Sequence, residues 1–268
     1  MPAPSFPPAK KRLGQNFLID PNIVRKIVVL ADLTPEACVL EIGPGRGALT
    51  EVLSRSAGRV VAVEIDPLLH RLLQERQAEW PNVEVICDDA LRYPLEQLPD
   101  GTVVVANLPY YISTPLLFRL LDQRARFPRL VLMLQEEVAD RLIAKPGSSD
   151  YGVLSVMAQY AAEITKSFKV SANCFRPRPE VGSAVVLIRT KQPRTLSLEE
   201  ESKFASLVKA AFAHRRKTVV NSLRDEGYEM MTVVQALADL SIAPTARAES
   251  LSLDQFTDLT RRLGLARA

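Results

Sequence analysis

The chain has 268 residues, 47% of them apolar and 24% charged, the balance of an ordinary globular protein with room for one sizeable core and a small second domain. No apolar run approaches the roughly 20 residues a membrane span needs. The opening MPAPSFPPAKKR lacks the apolar segment of a signal peptide, so a cytoplasmic location is expected. A formal net charge of +3 is too small to establish a polyanion partner by itself. Cys38, Cys87 and Cys174 are scattered and form no Cys-x-x-Cys pair, and His70 and His214 have no ligand-type residue at metal-binding spacing. Neither a disulfide framework nor metal chemistry is expected.

The first dozen residues are rich in proline and read as disordered. The amphipathic stretch DPNIVRKIVVL follows, with Asp20 as N-cap and Pro21 at the first helical position. Continuous apolar runs then alternate with helical patterns. The runs are Cys38–Ile42, Val60–Ile65, Val83–Cys87, Thr102–Ala106 and Leu130–Leu134, each reading as a strand covered on both faces. Helices are expected over Ala48–Ala57, Pro67–Glu79, Pro115–Leu121, Glu136–Ala144 and Tyr151–Ala161. The alternation predicts an α/β fold, an open and mostly parallel sheet with helices on both sides. Two later strands, Ile164–Val170 and Ala184–Arg189, suggest an antiparallel edge.

After Thr190 the character changes. KQPRT is a polar linker, and everything beyond it reads as helix, near Leu198–Ala213, Arg215–Glu226, Met230–Leu240 and Leu253–Leu263. A boundary near Pro193 is therefore expected, with a catalytic domain over 1–192 and a small all-helical domain over 193–268. The acid-free run from Val208 to Arg224 carries Arg215, Arg216 and Lys217, and Lys10, Lys11 and Arg12 form a second basic cluster. A lone basic cluster is commonly a solvated helix face, whereas two flanking a catalytic domain point towards a polyanion partner, and Arg215, Arg216 and Lys217 are the candidate contacts.

The strand ends carry the chemistry. After the first strand, Gly43, Gly45 and Gly47 form a turn on which backbone can approach a ligand. Their G-x-G-x-G spacing misses the last glycine of the dinucleotide fingerprint. Glu64 ends the second strand, placed for a ribose diol, and Asp89 follows the third, placed for an adenine amine. Asn107-Leu108-Pro109-Tyr110 ends the fourth. The lone pair of an aromatic amine such as adenine N6 is delocalised into its ring, making it a poor nucleophile. The side-chain oxygen of Asn107 and the backbone carbonyl of Leu108 can accept both N–H groups and favour a pyramidal nitrogen. Pro109 stiffens the turn, and Tyr110 offers a face to an extruded base.

These residues, with GQNFL, EIGPGRGALT, VEID, NLPYYISTPLL, LMLQEEVADRL, YGVLSVMAQY, FRPRPEVGSAVV and FAHRRKTVVNSL, resemble the ribosomal RNA adenine dimethyltransferases, specifically the bacterial small-subunit enzymes. The match runs from near the start of the chain to within about 45 residues of its end and is weakest in the last helical segment. The resemblance implies a Rossmann-like class I S-adenosylmethionine-dependent methyltransferase domain with a small helical C-terminal domain. It implies two methylations of each of two adjacent adenosines near the 3′ end of small-subunit rRNA, by an expected monomer acting on the assembling subunit.

Carried over to this chain, Asn16, Leu18, Gly43, Gly45, Glu64, Asp89 and Asn107 would hold the cofactor. Phe175 would stack on the target base opposite Tyr110. Two other readings stand beside this one: a large-subunit enzyme of the antibiotic-resistance type, and an RNA-binding assembly factor in which catalysis is secondary.

Overall fold

The computed structural model describes residues 7–263. Seven strands form one sheet in the order β4-β3-β2-β5-β6-β9-β7. These are β2 (Cys38–Ile42), β3 (Arg59–Glu64), β4 (Val83–Cys87), β5 (Val103–Asn107), β6 (Arg129–Gln135), β7 (Ala162–Val170) and β9 (Ser183–Thr190). The first five in that order are parallel, and β9 runs antiparallel to both β6 and β7. Their apolar runs are continuous because both faces are covered. Val39, Leu40, Val60, Val61, Val104, Val105, Leu130 and Val131 are all fully buried.

Four helices belong to this part of the chain: α1 (Pro21–Ala31), α2 (Ala48–Ser56), α3 (Pro67–Glu75) and α4 (Ser113–Asp122). The caps read from the sequence are in place at α1, where the Asp20 carboxylate accepts the amides of Asn22 and Ile23 and Pro21 opens the helix. From β2 the chain steps outward through β3 and β4, then returns to place β5 on the other side of β2. The carboxyl ends of β2 and β5 therefore flank a topological switch point, where open α/β sheets bind their ligands.

A second, two-stranded sheet was not anticipated. β1 (Phe17–Leu18) pairs antiparallel with β8 (Phe175–Arg176), aligning Leu18 with Phe175. Strands of two residues carry no periodicity from which to read them. The disorder expected over 1–12 is also corrected where it can be tested. Residues 1–6 lie outside those described, but Lys11–Leu13 form a 3-10 turn and the Lys10 ammonium lies 2.6 Å from Asp66.

The chain divides into two compact units, one holding residues 1–139 and 162–191, the other 140–161 and 192–268. The later division falls between Lys191 and Gln192, at the start of the polar linker, and residues 140–161, expected in the catalytic domain, lie in the other unit. The segment joins the helical unit because α6 (Val153–Ala161) carries aromatic and apolar groups that this unit buries. The Tyr160 ring packs 4.6 Å from that of Phe204 on α7 (Leu198–Phe212). The Tyr151 hydroxyl, just ahead of α6, donates to the Leu251 carbonyl at 3.0 Å. α8 (Val219–Asp225), α9 (Met230–Asp239) and α10 (Leu253–Leu263) complete the unit, and α5 (Glu136–Ile143) runs across the division of the chain. The helix expected from Arg215 starts at Val219, because the Thr218 hydroxyl caps it and residues 214–217 form a turn.

Candidate active site

The site is built where β2 stops. Gly43, Gly45 and Gly47 have φ of +67°, +60° and +81°, a left-handed backbone that glycine adopts without strain. Space makes the same demand at two of them. A Cβ on Gly45 would come within 3.0 Å of the Phe17 ring, and one on Gly47 within 3.0 Å of Leu73 and Trp80. Two amides meet one carboxylate, one from the turn and one just past β3: Gly45 N–H donates to Glu64 Oε2 at 3.0 Å, and Asp66 N–H to Oε1 at 2.9 Å. Burial pushes the Glu64 carboxyl above its usual range, against the pull of these amides. The two bonds orient a carboxylate at the tip of β3 and leave it further lone pairs for a diol.

An N-terminal strap crosses the same ground. Asp66 is buried and caps α3 through Leu68 N–H, while Lys10 Nζ and Gln15 Nε2 donate to its two oxygens at 2.6 and 3.0 Å. Burial opposes its ionisation, yet those donors hold the carboxyl below the usual range. The strap continues past Asn16, whose carbonyl accepts Asn107 Nδ2 at 3.1 Å, to Phe17, whose ring lies 4.4 Å from the Arg46 guanidinium.

Asp89 follows β4, its Oδ1 accepting Leu91 N–H at 2.9 Å. At the end of β5, Leu108 N–H donates to Met133 O at 3.2 Å, so the turn hangs from the neighbouring strand. Tyr110 opens a 3-10 turn, and its hydroxyl shares a 2.8 Å hydrogen bond with Ser183 Oγ. Burial raises the Tyr110 phenol pKa, opposed by that bond.

Most of these groups line one open cleft. Asn16, Leu18, Gly43, Gly45, Glu64, Asp89, Asn107, Leu108, Pro109 and Tyr110, all anticipated from the sequence, line it together. So do Arg46, Ile65, Ala90 and Tyr111, which sequence reasoning missed. Ile65 and Tyr111 are large and exposed, a signal available only once the cleft beside them is known. Among the described residues no group of three or more His, Cys, Asp or Glu is arranged to hold a metal ion.

Two expected site residues are placed otherwise. Phe175 is 1% exposed and does not line the cleft. Pairing of β8 with β1 places it in the buried apolar core that also holds Leu18, Val24 and Ile27, so its ring is not free for a base. Arg215 and Arg216 are exposed, but Lys217 is ion-paired with Asp225, the residue just past the acid-free run. Lys217 and Arg224 together hold the Asp225 carboxyl down to about 2. Lys217 is therefore not the free cation the linear run suggested.

The strand order, the antiparallel β9 and a cleft at the switch point make the first unit a Rossmann-like methyltransferase domain of the class I, S-adenosylmethionine-dependent type. Two solved structures share the architecture at 29% identity. A dimethyladenosine transferase from Plasmodium falciparum has a TM-score of 0.79, over 91% of this chain and 95% of its own. The 23S rRNA methyltransferase ErmE has a TM-score of 0.72, over 93% and 100%. The chain belongs to the ribosomal RNA adenine dimethylase family, whose profile matches residues 8–264. Proteins called ribosomal RNA small subunit methyltransferase A, from Moorella thermoacetica and Geobacter metallireducens, are each 44% identical to it. Both matches span 95% of this chain, with 92% and 95% of the relatives' own lengths.

Proposed function

We propose that the chain dimethylates the N6 amines of two adjacent adenosines near the 3′ end of small-subunit rRNA, using S-adenosylmethionine, in the cytoplasm and as a monomer on the assembling subunit. The observation that carries this reading is the orientation of the Asn107 amide. Its Nδ2 donates to the Asn16 carbonyl, which can only accept, so its Oδ1 is the free acceptor at the strand end. An acceptor there, with the Leu108 carbonyl beside it in sequence, suits a primary aromatic amine and has no use in hydride transfer.

The donor set fits the cofactor. The amide-held Glu64 suits a ribose diol, and Asp89, with one oxygen free of Leu91, suits the exocyclic amine of an adenine. The glycine turn gives close backbone approach for the amino-acid portion, and Asn16 and Leu18 close the cleft from the strap. S-adenosylmethionine supplies a methyl group already activated on a sulfonium. The protein's work is then alignment, a contribution of up to about 7–11 kcal/mol, and no strong base is needed. Asn107 Oδ1 and the Leu108 carbonyl draw both N–H groups of the target amine into their plane. Its lone pair would then project along the remaining direction, and as the C–N bond forms and the methyl's C–S bond breaks they would stabilise the growing positive charge until a proton leaves to water. Tyr110 supports the extruded base, and the exposed Arg215 and Arg216 supply cations for RNA phosphates.

Mass mapping of methylated nucleotides tests the whole reading, after incubation with labelled cofactor and both small subunits that lack the modification and unmodified large-subunit rRNA. Dimethyladenosine at two adjacent positions near the 3′ end is expected. Label confined to large-subunit rRNA would establish the resistance-type reading instead.

A further inference from the structure

Tyr110 sits in a short 3-10 turn at the mouth of the cleft, held locally by Ile112 N–H to Pro109 O at 3.2 Å and by Ser113 Oγ to Tyr110 O at 2.9 Å. Those bonds fix its backbone. They leave the ring free to swing about two side-chain torsions unless its far end is anchored. The anchor is Ser183. Its Oγ lies 2.8 Å from the phenol oxygen, and the residue is 1% exposed at the first position of β9.

Ser183 is itself held from both sides. It pairs with Gln135 of β6 on one side and Val170 of β7 on the other, at the end of the sheet where both strands stop. A flexible aromatic at the ligand cleft is thus tethered to a rigid point in the middle of a three-strand ladder. The partner is a hydroxyl with no charge to offer, so the bond orients the ring and leaves its electronics almost unchanged.

We infer that Ser183 is a positioning residue for the reaction: it sets the plane of the Tyr110 ring, and through it how long the base stays aligned for a second methyl. This rests on the reading that Tyr110 faces the target adenine. A base held by a tethered ring keeps its place while the cofactor is exchanged, and a base held by a swinging ring leaves after one transfer.

The test compares Ser183→Ala, Tyr110→Phe, the double variant and Tyr110→Ala with the parent. Single-turnover and processive assays on small subunits would resolve mono- from dimethyladenosine, with cofactor affinity measured by calorimetry. Ser183→Ala is expected to lower the dimethyl-to-monomethyl ratio by about 3- to 10-fold, the worth of one modest hydrogen bond, with cofactor affinity unchanged. Tyr110→Phe removes the same bond from the cleft side and is expected to match it. The double variant should then be no worse than either single one, because both delete one interaction.

Additive losses, or a parental ratio in Ser183→Ala while Tyr110→Ala lowers it, would overturn the inference and leave the base-holding role of Tyr110 intact. A parental ratio in Tyr110→Ala would remove that role itself.

Discussion

The side chain of Asn107 and the backbone of Asn16, 91 residues apart in sequence, are joined by a 3.1 Å hydrogen bond from Nδ2 to O. The N-terminal strap thereby decides which end of the Asn107 amide faces the cleft. The same strap is tied at its other end to Asp66, beside Glu64. One segment therefore braces the cleft both at Glu64 and at Asn107.

Asn107 should act on rate more than on binding. Asn107→Ala is expected to slow single-turnover methyl transfer by at least about 100-fold, the usual cost of removing one polar group that stabilises developing charge. RNA affinity should stay within about 3-fold, since the base is held mainly by stacking. Asn107→Asp should be as damaging, because a carboxylate cannot donate to the Asn16 carbonyl and repels it. Near-normal rates in both variants would eliminate the lone-pair mechanism.

Glu64→Ala should weaken S-adenosylmethionine binding by roughly 1–3 kcal/mol, the cost of leaving a diol and two amides unpaired in a buried site. Calorimetry would measure it, with NAD as the comparison ligand. NAD is expected not to bind, because the third glycine is out of place for a pyrophosphate. Clear NAD binding without a signal for the methyl donor would overturn the assignment of the cleft.

Glu41 makes the stability of the first unit pH-dependent. It lies on β2, just ahead of the glycine turn, and is fully buried. Burial, with the Glu64 charge adding, pushes its carboxyl up from 4.5 to about 8 against a pull from Thr50. The folded state therefore keeps a proton that the unfolded chain releases above pH 4.5. Stability is expected to fall as pH rises through 4.5 to 8, with a slope of at most about 1.4 kcal/mol per pH unit. Glu41→Gln should flatten that fall and raise stability at pH 8. Denaturant unfolding followed by Trp80, the single tryptophan and a core residue of this unit, would show it. A pH profile unchanged by Glu41→Gln would mean the carboxyl titrates normally.

The basic turn should divide unequally. Replacing Arg215 and Arg216 by alanine should lower the salt dependence of RNA binding, each phosphate contact contributing about 0.7–0.9 to the log–log slope. Lys217→Ala should lower it less, because Asp225 already neutralises that ammonium. Fluorescence titrations at several salt concentrations would separate the two. Equal effects would show that the Lys217–Asp225 pair opens on RNA.

By itself the sequence determined the strands of the sheet, the caps of α1, the glycine turn and the acid or amide at each successive strand end. Each is local: a continuous run of Val, Ile and Leu needs cover on both faces, and a strand end in such a sheet points at the switch point. Only the tertiary structure decided what depends on partners distant in the chain. Phe175 reads as a loop aromatic beside two prolines, and pairing with Leu18 buries it. Lys217 reads as one of a basic run, and the fold sets Asp225 against it. Residues 140–161 read as part of the α/β domain, and the aromatic surface of α7 and its neighbours draws them into the helical unit. The Ser183–Tyr110 and Asn16–Asn107 bonds join groups 73 and 91 residues apart. No local pattern encodes such a meeting, because it is fixed by the order in which strands assemble rather than by the residues beside either partner.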